Sequence, residues 1–396
     1  MLSEAKSTSG KKIAIVHKNI ISAGGAERYM RNLAMLFAEQ GYNVSVYAAK
    51  CDIVNNPKIF FHKIKIIPFP PFLKILSFAV NSKREIQREK FDLIFGTGNV
   101  YYQDIYRLSG GVYSKYVWIS LLKYRTFIGK FLRYVRRLLS PSHWLKLYIE
   151  KKIFTNEKTN FFICPSKIVA DDLTEAYKID GSKIKIIING IDTKKFNADN
   201  KNVFRNQISQ MFGFSDSDFI FLFVSSNHFL KGLEPLLDAF YLLNKEQKNA
   251  KMLVVGKGRE TYFRKKSQNL QLSDFVKFVG WQQDIREFYK AADFFVYPSF
   301  YDPFPNVALE SLACGTPIIV SSLTGASEIL EDGKNGFVIK NPRDLAEILD
   351  KMRRAISIPK KELATMSINA RDTAENFSNE KHIKKIMEFV RAICPS

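Results

Sequence analysis

Residues 293–320 read DFFVYPSFYDPFPNVALESLACGTPIIV, a pattern that leaves few folds open. The apolar run Phe294 to Tyr297 predicts a buried strand. A polar loop follows, with Pro298, Ser299, Asp302 and Pro303. Val307, Leu309, Leu312 and Ala313 then share one helical face until Gly315 and Pro317 stop the helix. Ile318 to Val320 is a second apolar strand. Strand, loop, helix and strand in that order make one unit of a parallel α/β sheet. Ligands of such sheets sit at the carboxyl ends of the strands. A helix N-terminus there offers free N–H groups and a positive dipole end, which suits a phosphate. Asp302 in the loop and Glu310 in the helix add carboxylates that accept hydrogen bonds from sugar hydroxyls. The unit reads as a holder for a phosphate-linked sugar. A helix carrying one solvated Glu is the alternative that local pattern leaves open.

A similar order opens the chain. Ile13 to Val16 is a strand, Ser22-Ala23-Gly24-Gly25-Ala26-Glu27 a glycine turn, and Ala26, Tyr29, Met30, Leu33, Ala34 and Phe37 share a helical face. Tyr42 to Ala48 is the next strand. Adjacent glycines let a phosphate approach the backbone closely; a tight turn without a ligand remains the alternative. Gly96-Thr97-Gly98 and Gly256-Lys257-Gly258 follow strands, but Tyr101 and Thr261 stand where a dinucleotide fingerprint needs glycine, which argues against a nicotinamide site. At 396 residues, 46% of them hydrophobic, the chain is long enough for two domains.

These pieces together resemble the retaining glycosyltransferases of the GT-B fold, family 4, a family that includes glycogen synthase relatives and the lipopolysaccharide core glucosyltransferases. The expected fold class is α/β, with two Rossmann-like doubly wound domains facing a central cleft. Expected boundaries are 1–195 for an acceptor-side domain, to which a final helix at 378–396 crosses back, and 196–377 for a nucleotide-sugar domain. Asp302 and Glu310, seven residues between them, resemble the family's Glu–x7–Glu motif, with Asp in the first position. The resemblance implies that Asp302 contacts the donor sugar and Glu310 the nucleotide ribose. It implies further that Gly24, Gly25 and the N–H groups of Phe304, Pro305 and Asn306 face the diphosphate (proline itself having none), and that the base lies near Trp281 and Gln282. Lys231-Gly232 matches the family's Arg-x4-Lys-Gly loop, so Lys231 is expected to hold the leaving diphosphate. Ser226 stands at the arginine position, with His228 as a partial substitute. An acceptor-side acid of the lipopolysaccharide branch is replaced by Gly110-Gly111, leaving Asp104 either to stand in for it or to serve as a surface or capping residue. Asn189-Gly190-Ile191-Asp192 resembles the turn at the family's domain junction.

No cofactor or metal is implied beyond a UDP-sugar or GDP-sugar donor. Asp216-Ser217-Asp218 has metal-binding spacing but precedes its strand, whereas metal carboxylates in these sheets belong at carboxyl ends. In the family's front-side mechanism a diphosphate oxygen takes the acceptor proton, and the two domains close over the donor to exclude water.

The formal charge of +21, from 60 Lys and Arg against 39 Asp and Glu, calls for an anionic partner. Residues 113–154 carry Lys115, Lys123, Arg125, Lys130, Arg133, Arg136, Arg137, Lys146, Lys151 and Lys152 against the single acid Glu150. Aromatic residues interleave with them. Ile128, Phe131, Leu132, Val135, Leu138 and Leu139 form an apolar stripe at helical spacing, and Pro141 stops the helix. An interfacial helix on an anionic membrane fits this pattern. A core-facing helix with a solvated basic face is the alternative, and nucleic acid is disfavoured because no RNA-binding motif accompanies the stretch. Four scattered cysteines and a polar Met1 to Lys12 predict a cytoplasmic protein, peripheral on the inner face of the membrane. The expected acceptor is a glycolipid or saccharide. A polyanion- or membrane-binding protein on a catalytically weakened scaffold is the second possibility.

Overall fold

The computed structural model describes residues 10–22, 24–53, 56–124 and 126–394. Residues 1–9, Ala23 and Arg125, used above, lie outside the described residues. The chain divides into two compact units, one of residues up to Ile187 and from Ile383 onward, the other Ile188 to His382. The boundaries differ from those expected at 195 and 377 because two short stretches bind each other within the second unit. Ile191 N–H donates to Phe377 O at 2.9 Å, and Asn379 N–H donates to Ile191 O at 2.8 Å. His382 Nδ1 lies 2.7 Å from Ile188 O. A side chain at Gly190 would meet Asn379 Oδ1 at 2.7 Å, so the turn needs glycine for close approach. Farther along the final helix, Asn379–Ile393, the residues Ile386, Met387 and Val390 join a core of the first unit.

The first unit holds a seven-stranded parallel sheet in the order Ile59–Lys63, Asn43–Ala48, Lys12–Val16, Leu93–Thr97, Ile105–Arg107, Phe161–Cys164, Ile184–Ile186. Its inner strands are apolar on both faces, as a sheet covered on both sides requires. Ile13, Ile15 and Phe95 enter one core cluster while Ala14, Val16 and Ile94 enter another. The strand order reverses between Lys12–Val16 and Leu93–Thr97.

The second unit has a six-stranded parallel sheet in the order Val276–Gly280, Ala250–Val255, Phe219–Val224, Phe294–Tyr297, Ile318–Ser321, Gly336–Ile339. Phe219–Val224 reads FIFLFV and is buried along most of its length. Full burial of a side chain such as Phe221 or Phe223 contributes about 1.5–3 kcal/mol, so this central strand anchors the sheet. Here the order reverses between Phe219–Val224 and Phe294–Tyr297, and the loops leaving both strands are thereby brought together.

Residues 113–154 form three helices, Tyr113–Ile119, Phe127–Leu138 and Pro141–Phe154. Thr126 caps the second by accepting from Gly129 N–H at 3.1 Å. Its apolar stripe faces outward: Phe127 is 80% exposed and Leu132 62%. The core-facing alternative therefore does not hold for this helix. Arg137 is the exception among its basic residues, being buried, with its guanidinium donating to Val117 O and, at 2.6 Å, to Ser120 Oγ. Glu150 is also buried. It accepts from the N–H groups of Tyr113 and Ser114 and, at 2.7 Å, from Tyr177 OH, and so fixes the start of the first helix. No helix among the described residues is long and apolar enough to cross a membrane.

Candidate functional site

Lys231 follows Phe219–Val224 and Asp302 follows Phe294–Tyr297, the two strands between which the second sheet reverses. Their side chains meet: Lys231 Nζ lies 2.5 Å from Asp302 Oδ2 and donates to Tyr301 O at 3.0 Å. Tyr297, the last residue of its strand, donates its hydroxyl to the same Asp302 oxygen at 2.9 Å. Burial and the adjacent carboxylate push the Tyr297 phenol well above the usual tyrosine range, so it remains a donor. The Lys231 ammonium also sits 5.5 Å from the Tyr297 ring centroid. Gly232 then turns the chain into the helix Leu233–Glu246 with φ +81°, and a Cβ there would run into the Pro298 carbonyl.

The predicted helix after Asp302 spans Asn306–Ala313 and starts without a side-chain cap. Its N-terminal N–H groups therefore retain binding capacity for an anion. Phe304 and Pro305 are buried and seat this end of the helix. Asn189 Nδ2 donates to Asn306 Oδ1 at 2.8 Å, tying the start of the helix to the junction turn. One turn on, Glu310 is buried and accepts from Tyr289 OH at 3.0 Å. The Tyr289 phenol is raised well above its ordinary range, first by burial and then by Glu310. Trp281 and Gln282 follow Val276–Gly280, also at a carboxyl end. Trp281 is 61% exposed, with Lys257 Nζ 5.2 Å from its ring centroid, and Gln282 Nε2 donates to Val279 O at 3.2 Å.

Two expectations fail here. His228 cannot replace the missing arginine. It is buried between Phe223 and Phe263, with ring centroids 5.7 and 5.6 Å away, and desolvation pushes its pKa down to about 4. It is thus a neutral packing residue, while Ser226 is exposed. Asp104 is not an acceptor-side acid. It precedes the strand Ile105–Arg107, at the amino end, where it accepts from Ile94 N–H at 2.8 Å and pairs with Lys158 at 2.6 Å. It is a capping residue at the wrong end of the sheet for a ligand.

In the first unit, Gly24 and Gly25 are exposed at the start of the helix Gly25–Glu39. The space beside Gly24 is taken by the Glu27 carboxylate. The loop before them is held by Asp52, which accepts from Ser22 N–H and from Arg31 Nε, both at 2.7 Å. Asp218 of the Asp-x-Asp pattern accepts from Ser215 N–H at 2.8 Å at the amino end of its strand.

The phenols of Tyr289 and Tyr297 and the amide of Asn189 were missed in the sequence. Tyr297 had a signal, a polar tip ending an apolar strand run five residues before Asp302. Asn189 lay in a motif read only as a junction turn.

Residues 23–195 match the family described as Glycosyltransferase Family 4, and residues 204–373 match the family Glycosyl transferases group 1. Among curated relatives, an uncharacterized glycosyltransferase of Methanocaldococcus jannaschii is 33% identical over 48% of this chain and 50% of its own. The alpha-monoglucosyldiacylglycerol synthase of Streptococcus pneumoniae is 31% identical over 56% of this chain and 50% of its own. The chain thus spans about half the length of each of these two relatives. Among solved structures, WaaG, a glycosyltransferase involved in lipopolysaccharide biosynthesis, superposes with a TM-score of 0.78 at 18% identity, covering 96% of this chain and 99% of that one. That likeness identifies the fold as GT-B, with a Rossmann-like sheet in each unit.

Proposed function

We propose that this chain, which joins a glycosyltransferase family 4 domain to a glycosyl transferases group 1 domain, is a retaining glycosyltransferase that takes a hexose from a UDP- or GDP-sugar. The observation that carries this reading is the convergence of Lys231, Asp302 and the uncapped Asn306 helix at the point of strand reversal. Glycosyl transfer builds negative charge on the departing diphosphate. A fixed ammonium and preorganised N–H groups aimed at that charge stabilise the transition state. Lys231 and the N–H groups around Phe304 to Asn306 supply them, Asp302 orients the sugar, and Glu310, held by Tyr289, grips the ribose. A diphosphate oxygen takes the acceptor proton, so no protein base is needed. Protein groups meet the leaving charge, which makes transfer independent of added metal.

The acceptor in this reading is a membrane-associated glycolipid or polysaccharide, of lipopolysaccharide core, O-antigen or capsule type. The outward stripe Phe127, Ile128, Phe131, Leu132 and Leu139, with Trp118, Trp144 and Tyr148 exposed nearby, supports peripheral attachment to the inner face of the membrane. Lys130 and Arg133 add attraction to anionic lipid.

The test is incubation with a panel of UDP- and GDP-hexoses and a lipid-extract acceptor in EDTA, followed by mass spectrometry. Transfer with retention at the anomeric carbon is expected. Absence of both transfer and donor hydrolysis across the panel defeats the reading.

A second reading has its own support. Ser226 and the neutral His228 leave the loop one cation short, and Asp302 offsets the Lys231 charge. A scaffold that binds membranes without catalysis would give no saturable heat with UDP in calorimetry.

A further inference from the structure

Asp302 is tied down within the second unit both by its main chain and by its side chain. Its N–H donates to Leu323 O at 3.2 Å and its carbonyl accepts from Gly325 N–H at 3.0 Å, which clamps it to the loop after Ile318–Ser321. The carboxylate is held at one oxygen only. Oδ2 accepts from Lys231 Nζ at 2.5 Å and from Tyr297 OH at 2.9 Å. Oδ1 makes no hydrogen bond among the described residues, and it is not among the polar atoms sealed from solvent without a partner.

The last torsion of an aspartate is soft, so a carboxylate left to itself turns over a wide range. Here both donors to Oδ2 are themselves fixed. Tyr297 is buried, its ring stacked on Phe295 with centroids 5.6 Å apart and packed against Phe223 at 6.2 Å. A carboxylate that turned away would leave this buried hydroxyl unpaired. Lys231 is held by a further N–H to Tyr301 O at 3.0 Å, and its ammonium lies 5.5 Å from the Tyr297 ring centroid. Tyr297 thus touches both members of the ion pair, the acid through its hydroxyl and the base through its ring.

We infer that Tyr297 is a positioning residue that makes Asp302 a one-oxygen ligand: Oδ2 is spent on Tyr297 and Lys231, and Oδ1 alone accepts a single hydroxyl of the bound sugar. The nature of that ligand rests on the donor-site reading above; the fixing of the carboxylate does not. A carboxylate with both oxygens open can bridge two neighbouring hydroxyls of a hexose, whereas one tied at Oδ2 takes one. Selectivity through Asp302 then falls on one position of the sugar ring.

Tyr297→Phe removes the hydroxyl and keeps the ring. Calorimetry on the full chain with UDP, GDP, UDP-glucose, UDP-galactose and GDP-mannose reads the effect on binding. The variant should weaken the sugar nucleotide that binds by about tenfold, while UDP and GDP, which carry no sugar for Asp302 to meet, bind as before. In an Asp302→Ala background the same substitution should have no further effect, because Tyr297 acts through that carboxylate. Among deoxy forms of the sugar nucleotide, a single position should be insensitive to Asp302→Ala. Thermal unfolding separates positioning from packing: a merely structural phenol lowers Tm and weakens nucleotide and sugar nucleotide alike.

A crystal structure of ligand-free Tyr297→Phe supplies a readout that needs no donor. Its Asp302 carboxylate should be turned from the wild-type angle or split between two conformers. The inference is overturned if that carboxylate keeps its orientation, if the variant binds sugar nucleotides as tightly as the wild type, if UDP weakens to the same extent, or if the loss persists in the Asp302→Ala background. Binding of neither nucleotides nor sugar nucleotides by the wild type sinks the donor reading, and the carboxylate orientation in the variant still decides whether Tyr297 positions Asp302.

Discussion

Lys231 and Asp302 meet at 2.5 Å although they lie in different loops, each leaving one of the two strands that flank the reversal of the second sheet. Both side chains are about 15% exposed, at 16% and 15%, so the pair is only partly screened by water. In the proposed reading, an ammonium held this way would be fixed before a donor arrives, which is what transition-state stabilisation needs.

Lys231→Met should reduce kcat by about 10²–10³, the loss seen when one preorganised donor to a developing oxyanion is removed. Steady-state kinetics with a competent donor checks this, and a variant with unaltered kcat would exclude Lys231 from the leaving-group site. Asp302→Asn should act differently, releasing the ammonium toward the diphosphate while loosening sugar orientation. UDP binding should therefore strengthen as kcat falls.

Glu310→Ala removes an acceptor already oriented by Tyr289. Donor affinity should fall by about 1.5–3 kcal/mol, the range for hydrogen bonds to charged groups, or roughly ten- to a hundredfold. Calorimetry with UDP reads the loss, and Tyr289→Phe should show a smaller decrease in the same direction. Unchanged affinity in Glu310→Ala would remove Glu310 from the site.

Asp104→Asn should lower thermal stability and leave kcat/KM untouched. Its carboxylate accepts from a backbone N–H in the buried sheet and pairs with Lys158, far from the carboxyl ends where ligands bind. A loss of activity at unchanged Tm would restore it as an acceptor-side acid.

His228 makes stability depend on pH. Its folded pKa is depressed to about 4 against an ordinary value of 6.5. Between those values the unfolded chain binds the proton more readily, so stability rises with pH across this window. The contribution is complete above about pH 6.5 and is lost progressively as pH falls toward 4. Urea unfolding at several pH values should show that slope, and His228→Gln should flatten it. An equal slope in the variant would assign the effect to other groups.

Phe131→Ser combined with Leu132→Ser should abolish flotation with anionic vesicles and leave Tm unchanged, because both side chains are exposed. Lys130→Gln and Arg133→Gln should each cost about 1 kcal/mol of vesicle affinity, roughly fivefold, and less in high salt. Equal flotation of the wild type with neutral and anionic vesicles would count against the electrostatic part.

Much of this was legible because a parallel sheet writes its strands as short apolar runs. The apolar runs Phe294 to Tyr297 and Ile318 to Val320 lie within a residue of the observed strand limits, and the loop and helix between them hold Asp302 and Glu310. What stayed hidden were long-range pairings. Nothing local says that Lys231 meets Asp302 or that Tyr289 reaches Glu310. Asp104 misled because its residue type fits an active site, while its function depends on which end of a strand it marks. His228 misled in the same way, since only burial between two phenylalanines reveals it as uncharged. The apolar stripe at Phe127 to Leu139 left two readings open, and its exposure removes the core-facing one.

The junction at Gly190 has a practical corollary. Ile188 and His382 are joined by a hydrogen bond of 2.7 Å, so the stretch between them begins and finishes at one spot. Residues 188–382 amount to a cassette with neighbouring ends, which a short loop could close into a circle or a swap could replace by a homologous insert. If the second unit holds the donor as proposed, donor preference could then be exchanged among relatives while the outward helix of the remaining unit keeps its own sequence.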